Sequence, residues 1–216
     1  MTDDAAQGRL LAWVRRLESI AATGLHYAKD PYDVQRYEHL RDLAAEMFAH
    51  ASDTDVEAVR GLLRAQFGPG TPKLVVRAAV FKDDRILLVR EIADNAWAMP
   101  GGWAEVNELP SRAIEREVHE ESGYEVRAER LIYLHDSAIH GRCNQAYHTY
   151  TIFFLCTLLG GEPATSMETA EVGFFPEDAL PPLGARGPLS RSRNTEAELA
   201  KAFAAHRNPD GPACFD

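Results

Sequence analysis

Three carboxylates, Glu117, Glu120 and Glu121, fall within five residues of one another. A helical pattern runs from Pro110 to Glu121 and stops at Gly123. Put Glu117 at zero on a wheel of about 100° per residue. Glu120 then falls near −60° and Glu121 near +40°, so the three share one narrow stripe. Ala113 lies on that stripe and is small enough to leave room above it. Ile114 and Val118 point toward a packed face, whereas Arg112, Glu115, His119 and Ser122 point toward solvent. Like charges at these spacings repel and weaken an isolated helix. A stripe built only for solubility would intersperse lysines. Hard oxygen ligands at this density suit a divalent cation such as Mg²⁺ or Mn²⁺.

Strands must hold such a helix in place. Leu74 to Phe81 and Ile86 to Val89 are rich in branched residues and flank Lys82-Asp83-Asp84-Arg85, which predicts a hairpin. Further strands are expected at Leu131–Leu134, Tyr150–Leu159 and Val172–Phe175. A last helix opens at Thr195, where Glu198 completes a capping box, and runs to about Ala205. The preceding 68 residues read as three helices. Leu10, Val14, Leu17 and Ala21, widened by Leu11 and Ile20, form the first stripe, which is expected to end at Gly24. Asp30-Pro31 starts the second helix, with Tyr37, Leu40, Leu43, Ala44, Met47 and Phe48 as its apolar face. Thr54 and Glu57 fit a capping box for the third, which passes through Val59, Leu62 and Leu63. The run Gly68-Pro69-Gly70-Thr71-Pro72 breaks both patterns. The expected domains are therefore 1–68 (helical; dimerisation or lid), 69–206 (mixed α/β) and a flexible tail, 207–216.

The 216 residues carry a net charge of −10, which disfavours the nucleic acid backbone as a partner. An anionic substrate remains open if metal ions bridge the charges. The most apolar stretch, Tyr150 to Leu159, is about half of the ~20 residues that a membrane span needs. The acidic start and the three cysteines, Cys143, Cys156 and Cys214, without metal-like spacing, lead us to expect a cytoplasmic protein with reduced thiols.

The segment around the carboxylates resembles the Nudix hydrolase signature, Gly-x₅-Glu-x₇-Arg-Glu-U-x-Glu-Glu-x-Gly-U, where U is bulky and aliphatic. Here it reads Gly102, Glu108, Arg116, Glu117, Val118, Glu120, Glu121, Gly123 and Tyr124. Only the aromatic Tyr124 departs from it. The resemblance implies an α/β/α sandwich with a mixed sheet, and a metal site held by Glu117, Glu120, Glu121 and the carbonyl of Gly101 or Gly102. It implies that Arg116 and Glu108 form an ion pair that orients the ligands. Gly102 and Gly123 would fill positions that do not accept a side chain. The general base is left open between a glutamate of the signature and Glu168 or Glu171 in a later turn.

A narrower resemblance, to a bacterial Nudix subgroup with an N-terminal helical domain, covers most of the chain. It rests on Tyr27-Ala28-Lys29-Asp30-Pro31-Tyr32-Asp33, Arg36-Tyr37-Glu38, Pro100-Gly101-Gly102-Trp103, Phe153-Phe154-Leu155-Cys156 and Arg193-Asn194-Thr195-Glu196. It implies a homodimer acting on a small-molecule nucleotide, a nucleoside diphosphate linked to X such as CDP-choline or ADP-ribose. Rival readings are a nucleoside triphosphate or RNA 5′-end hydrolase, and a ligand sensor without catalysis. Arg77, Arg90 and Trp103 are the candidate substrate contacts; either Trp97 or Trp103 could stack on a base, with packing in the core or at the rim as the default role of each. Arg191 and Arg193 could reach a second phosphate, with solvated charge as the default. His135, His140 and His148 show no metal-like spacing.

Overall fold

The computed structural model describes residues 3–66, 68–137, 148–181, 188–190 and 193–216. Cys143, His140 and Arg191 lie outside these described residues. The chain forms two compact units, one of residues 1–73 and 137–149, the other of residues 74–136 and 150–216.

In the larger unit, β1 (Lys73–Lys82) and β2 (Arg85–Glu91) make the expected hairpin. Asp83 and Asp84 turn it with φ of 51° and 56°, the left-handed pair that matches the twist of a two-residue loop. Then follow β3 (Trp97–Ala98), α4 (Pro110–Ser122), β4 (Tyr124–Asp136), β5 (Thr149–Gly161), β6 (Thr169–Phe175), α5 (Glu196–Arg207) and β7 (Cys214–Phe215). The sheet order is β3-β2-β1-β5-β4-β7, with β6 paired to β2. It is mixed, because β7 runs parallel to β4 while the pairs β1–β2, β2–β3, β2–β6 and β4–β5 run antiparallel.

Both faces of this sheet are covered. Val76, Ala78, Val80 and Leu87 pack on Ile114 and Val118 of α4. Ala79, Ile86 and Leu88 pack with Leu199, Ala202 and Phe203 of α5. The alternation along each strand sends successive side chains to opposite helices, which explains why β1 and β2 read as continuous apolar runs.

Helix α4 starts at Pro110 without a side-chain cap and ends at Gly123, whose φ is 74°. A Cβ there would lie 2.5 Å from the Glu162 carbonyl. Two residues expected in solvent are not there. Ser122 is buried and donates to the Val118 carbonyl at 2.6 Å. Glu115 accepts from the Ala128 amide at 3.0 Å. The chain reverses straight after Gly123, so β4 folds back over that flank of the helix.

β4 and β5 exceed their expected lengths. Register shifts at three points along their pairing break the period of two on which a strand assignment relies. Residues 207–216, expected as a flexible tail, instead include β7, which pairs with Tyr133 and Leu134. Arg130 gathers the carbonyls of Ala205, Asn208 and Gly211 at 3.0–3.1 Å. One guanidinium thus satisfies three acceptors, one in the last turn of α5 and two in the Pro- and Gly-rich run. The capping box of α5 forms as expected from Thr195 and Glu198.

The helical unit holds α1 (Asp3–Tyr27), α2 (Pro31–Ser52) and α3 (Val56–Arg64). Leu11, Val14, Ala44, Ala45, Phe48, Val59 and Leu63 form its core. Helix α1 does not stop at Gly24. A Cβ at Gly24 would meet the Tyr37 ring at 2.4 Å, so this glycine serves the close approach of two helices. Leu43 and Ile20 are exposed rather than packed. Asp30 caps α2 as expected. For α3 the cap is Asp55, which accepts from the Ala58 amide at 2.8 Å, while Thr54 bonds Ser52. A carboxylate at the helix start outcompetes a hydroxyl because it also meets the positive end of the helix dipole. Among the described residues no helix is long and apolar enough to cross a membrane.

Candidate active site

The loop after β3 places backbone against the carboxylate stripe of α4. The Ala78 amide donates to the Pro100 carbonyl, and the Val76 amide to the Gly102 carbonyl, each at 2.9 Å. These bonds hold Gly101 against β1 with a φ of 142°. The Gly101 amide donates to Glu121 Oε2 at 2.8 Å. Gly102 faces Glu117, whose carboxylate oxygens would lie 2.8 Å from an added Cβ. The Thr169 hydroxyl donates to the Glu121 carbonyl at 2.8 Å and ties the end of α4 to β6.

Arg116 organises the same stripe. Its Nε and Nη2 form a two-pronged bond with Glu108, both at 3.0 Å. Its Nη1 reaches Glu117 and Glu120, also at 3.0 Å. The pair with Glu108 holds that carboxyl below its usual range, and the surrounding carboxylates raise the guanidinium further. A lysine cannot reproduce the planar fork. Arg116→Lys is expected to lower kcat/KM by about 10–100-fold and to raise the half-saturating metal concentration. Steady-state kinetics across a metal titration would check both.

These groups line a cleft of about 580 Å³. Glu91, Glu105, Glu117, Glu120, Glu121 and Glu168 stand in its wall against Arg77, Arg116 and Arg193. Among the described residues that line it, carboxylates outnumber guanidinium groups by six to three, so the cleft attracts further cations. Arg77 is buried and donates to the Met99 carbonyl at 2.9 Å. Trp103 stands half exposed at the rim. Arg193, expected by default as solvated charge, pairs with Glu91 at 2.9 Å in the cleft wall and also with Asp94 at 2.6 Å.

The cleft takes in some of the sequence candidates and leaves others outside it. Arg90 is not among the cleft residues; it pairs with Glu171 and Asn95. Glu171 is therefore committed to that pair on β6, whereas Glu168 reaches the cleft. The pairing of Glu91 with Thr169 and the bond from the Ile92 amide to the Glu168 carbonyl bring that turn alongside β2. Trp97 is fully buried against Phe175 and offers no face to a base. His135 is buried beside Glu198, at 3.0 Å. Glu91 was missed. Its only signal was a charge at the end of an apolar strand, where alternation alone does not assign a face.

Burial pushes the Glu121 carboxyl up to about 8, against the pull of Arg77 and the Gly101 amide. Burial also raises Glu117 and Glu91. Among the described residues no three His, Cys, Asp or Glu side chains are already gathered as a metal cage. Instead Arg116 Nη1 supplies the positive charge between Glu117 and Glu120. The donor set fits a hard divalent ion. It offers carboxylate oxygens in excess over cations, and burial raises three of those carboxylates, Glu91, Glu117 and Glu121.

This has a consequence for pH. Glu121 has a folded value above its ordinary one, so its contribution to stability is present at acid pH and lost as pH rises through about 8. Metal-free protein is expected to melt at progressively lower temperature between about pH 5 and pH 8.5 from this group. A divalent ion binds the ionised form, so its stabilisation should grow over the same range. Melting curves in chelator and in Mn²⁺ at several pH values would show a widening gap.

Comparison with known proteins fits this geometry. The family described as "UDP-X-like, N-terminal oligomerisation domain" matches residues 8–63, and the NUDIX domain matches residues 71–193. YjhB of Bacillus subtilis (strain 168), which carries the provisional name ADP-ribose pyrophosphatase, is 42% identical over 97% of this chain and 98% of its own. The crystal structure of an ADP-ribose pyrophosphatase from Streptococcus suis is 38% identical, with a TM-score of 0.60, over 68% of this chain and all of that one. That of a UDP-X diphosphatase is 33% identical, with a TM-score of 0.61, over 97% of this chain and 99% of that one. With the fixed positions of the signature in place and both regions matched, the chain belongs to the Nudix hydrolase family.

Proposed function

We propose that this enzyme cleaves the diphosphate of a nucleoside diphosphate linked to X, giving a nucleoside monophosphate and phospho-X. ADP-ribose is the first candidate substrate and CDP-choline the second. The observation that carries the reading is the excess of carboxylates in the cleft beside two guanidinium groups, Arg77 and Arg193. Glu117, Glu120, Glu121 and the Gly101 carbonyl would hold Mg²⁺ or Mn²⁺. When bound, the ion neutralises phosphate charge and acidifies the attacking water. Arg77 and Arg193 orient the diphosphate, and Trp103 offers a ring at the rim. Glu168 takes the proton from water as its oxygen attacks one phosphorus. The bond from that phosphorus to the bridging oxygen breaks, and the bridging oxygen leaves with the other phosphate.

Glu168→Gln is expected to lower kcat by about 100-fold or more with KM nearly unchanged. Steady-state kinetics would check it, and an unchanged kcat would return the role to the glutamates of α4. Product analysis tests the reaction itself. The chain would be incubated with Mg²⁺ or Mn²⁺ and ADP-ribose, CDP-choline or a UDP-sugar, then resolved by anion exchange. Release of AMP, CMP or UMP supports the proposal. No monophosphate from any of the three would overturn it. We read the helical unit as the seat of a homodimer, which its match to an oligomerisation domain supports.

A further inference from the structure

Three consecutive residues at the start of α5 each hold a different part of the molecule. Arg193 pairs with Glu91 at 2.9 Å in the cleft wall. Asn194 is fully buried, and its Oδ1 accepts from the Met99 amide at 2.8 Å. Thr195 caps the helix, with Glu198 completing the box. Asn194 lies outside the signature, yet it touches the loop that the signature helix needs. Met99 is held at both of its backbone polar groups, because Arg77 Nη1 donates to its carbonyl at 2.9 Å. The next residue, Pro100, gives its carbonyl to the Ala78 amide and has no amide of its own. After it comes Gly101, whose amide meets Glu121 at 2.8 Å.

We infer that Asn194 is a positioning residue for the cation site: by holding the Met99 amide it sets where the Gly101 backbone meets Glu121. The inference rests on the metal reading above and adds to it a residue far from the carboxylates in sequence.

Three observations carry it. First, Met99 is fully buried. Without the Asn194 oxygen its amide would be left unpaired out of reach of water, a cost the loop can relieve only by shifting. Only Pro100 separates the shifted residue from Gly101. Second, the other end of the side chain is idle. Among the described residues Asn194 Nδ2 has no hydrogen-bond partner. Buried amide donors are rarely left so, and the oxygen is therefore what this side chain contributes. Third, the acceptor is itself fixed. The Asn194 amide donates to the Ser190 carbonyl at 3.0 Å, and the Thr195 amide to Glu198 Oε2 at 2.7 Å. The Trp97 amide bonds the Pro188 carbonyl and the Ser190 amide the Trp97 carbonyl, each at 2.8 Å. The segment leading into α5 thus runs alongside residues 97–99 and is anchored in turn by Leu199, Ala202 and Phe203 in the core. Backing of this kind, on rigid elements behind the ligands, tunes how tightly a metal is held.

Three variants of the full chain test it. Asn194→Leu keeps the branched shape and removes the acceptor. Asn194→Asp keeps the acceptor and gives up only the idle donor. Thr195→Ala loosens the start of α5 and leaves Asn194 in place. Two readouts are used: Mn²⁺ affinity by electron paramagnetic resonance, and hydrogen exchange of the 97–102 segment in chelator, followed by mass spectrometry. Asn194→Leu is expected to bind Mn²⁺ about 10-fold more weakly and to exchange about 10-fold faster in that segment. Asn194→Asp should stay within about threefold of wild type in both. Thr195→Ala should melt at lower temperature yet keep its Mn²⁺ affinity within the same range. Should Asn194→Leu fail to fold, Asn194→Ser, whose hydroxyl is too short to reach the amide, carries the same expectation. Wild-type affinity and exchange in the variant lacking the acceptor would overturn the inference and leave the metal reading standing. Equal weakening in Asn194→Asp, or in Thr195→Ala, would also overturn it, since packing or the stability of α5 would then account for the loss. A wild-type chain that binds no Mn²⁺ would overturn the metal reading itself.

Discussion

Replacing Glu120 by Gln is expected to lower turnover by about 1,000-fold or more while leaving the fold intact. The Glu120 side chain is 57% exposed, and its tie within the protein is to Arg116 Nη1. A glutamine carbonyl can still accept that bond, so the melting temperature should move by only about 2 °C. The substitution removes the charge and one hard oxygen ligand and little else. The expected result therefore separates two roles. If Glu120 serves only to position Arg116, Gln should work nearly as well as Glu. If it ligates a cation, activity collapses and more metal does not fully restore it. Kinetics at several Mn²⁺ concentrations, with melting curves alongside, would distinguish the two.

The second large effect falls on stability. Gly101→Ala is expected to destabilise the protein by about 3–5 kcal/mol, read as a shift of the urea midpoint. An added Cβ would lie 2.1 Å from the Val76 carbonyl and 2.9 Å from the Arg77 Cα, and the φ of 142° is one that side chains rarely adopt. The backbone has little freedom to yield, because the Val76 and Ala78 amides bond the residues on either side. The same change displaces the amide that holds Glu121, so activity should fall even where the fold survives. Gly61→Ala is the natural control. It lies within α3, and its Cβ would meet nothing within 4 Å. There alanine should stabilise the helix by about 0.5–1 kcal/mol.

The carboxylate stripe was legible because helical geometry needs no tertiary information. The spacing of Glu117, Glu120 and Glu121 fixes their common face once Gly123 ends the helix. The hairpin at Asp83-Asp84 and the caps at Asp30 and Thr195 were legible for the same local reason. What escaped was decided by pairing. The frayed ending gave way to β7 because Arg130 collects three distant carbonyls. Glu168 and Glu171 look alike in sequence, but only Glu171 lies opposite Arg90 on β6. The sheet register pairs Arg90 with Glu171 and sends Trp97 into the core, the default role of that ring. Ser122 and Ile20 show the same limit in opposite directions. A helical wheel gives relative angles but not the number of flanks that neighbours cover.

Central to this account is that the carboxylates of α4 hold a divalent cation. Titration of the protein into Mn²⁺, followed by electron paramagnetic resonance of the free ion, measures that directly. The account predicts that wild-type protein removes the six-line signal of free Mn²⁺ with saturable stoichiometry, and that Glu120→Gln removes it at least 10-fold less tightly at the same pH. A free-ion signal unchanged by wild-type protein, or equal binding by the variant, would contradict it.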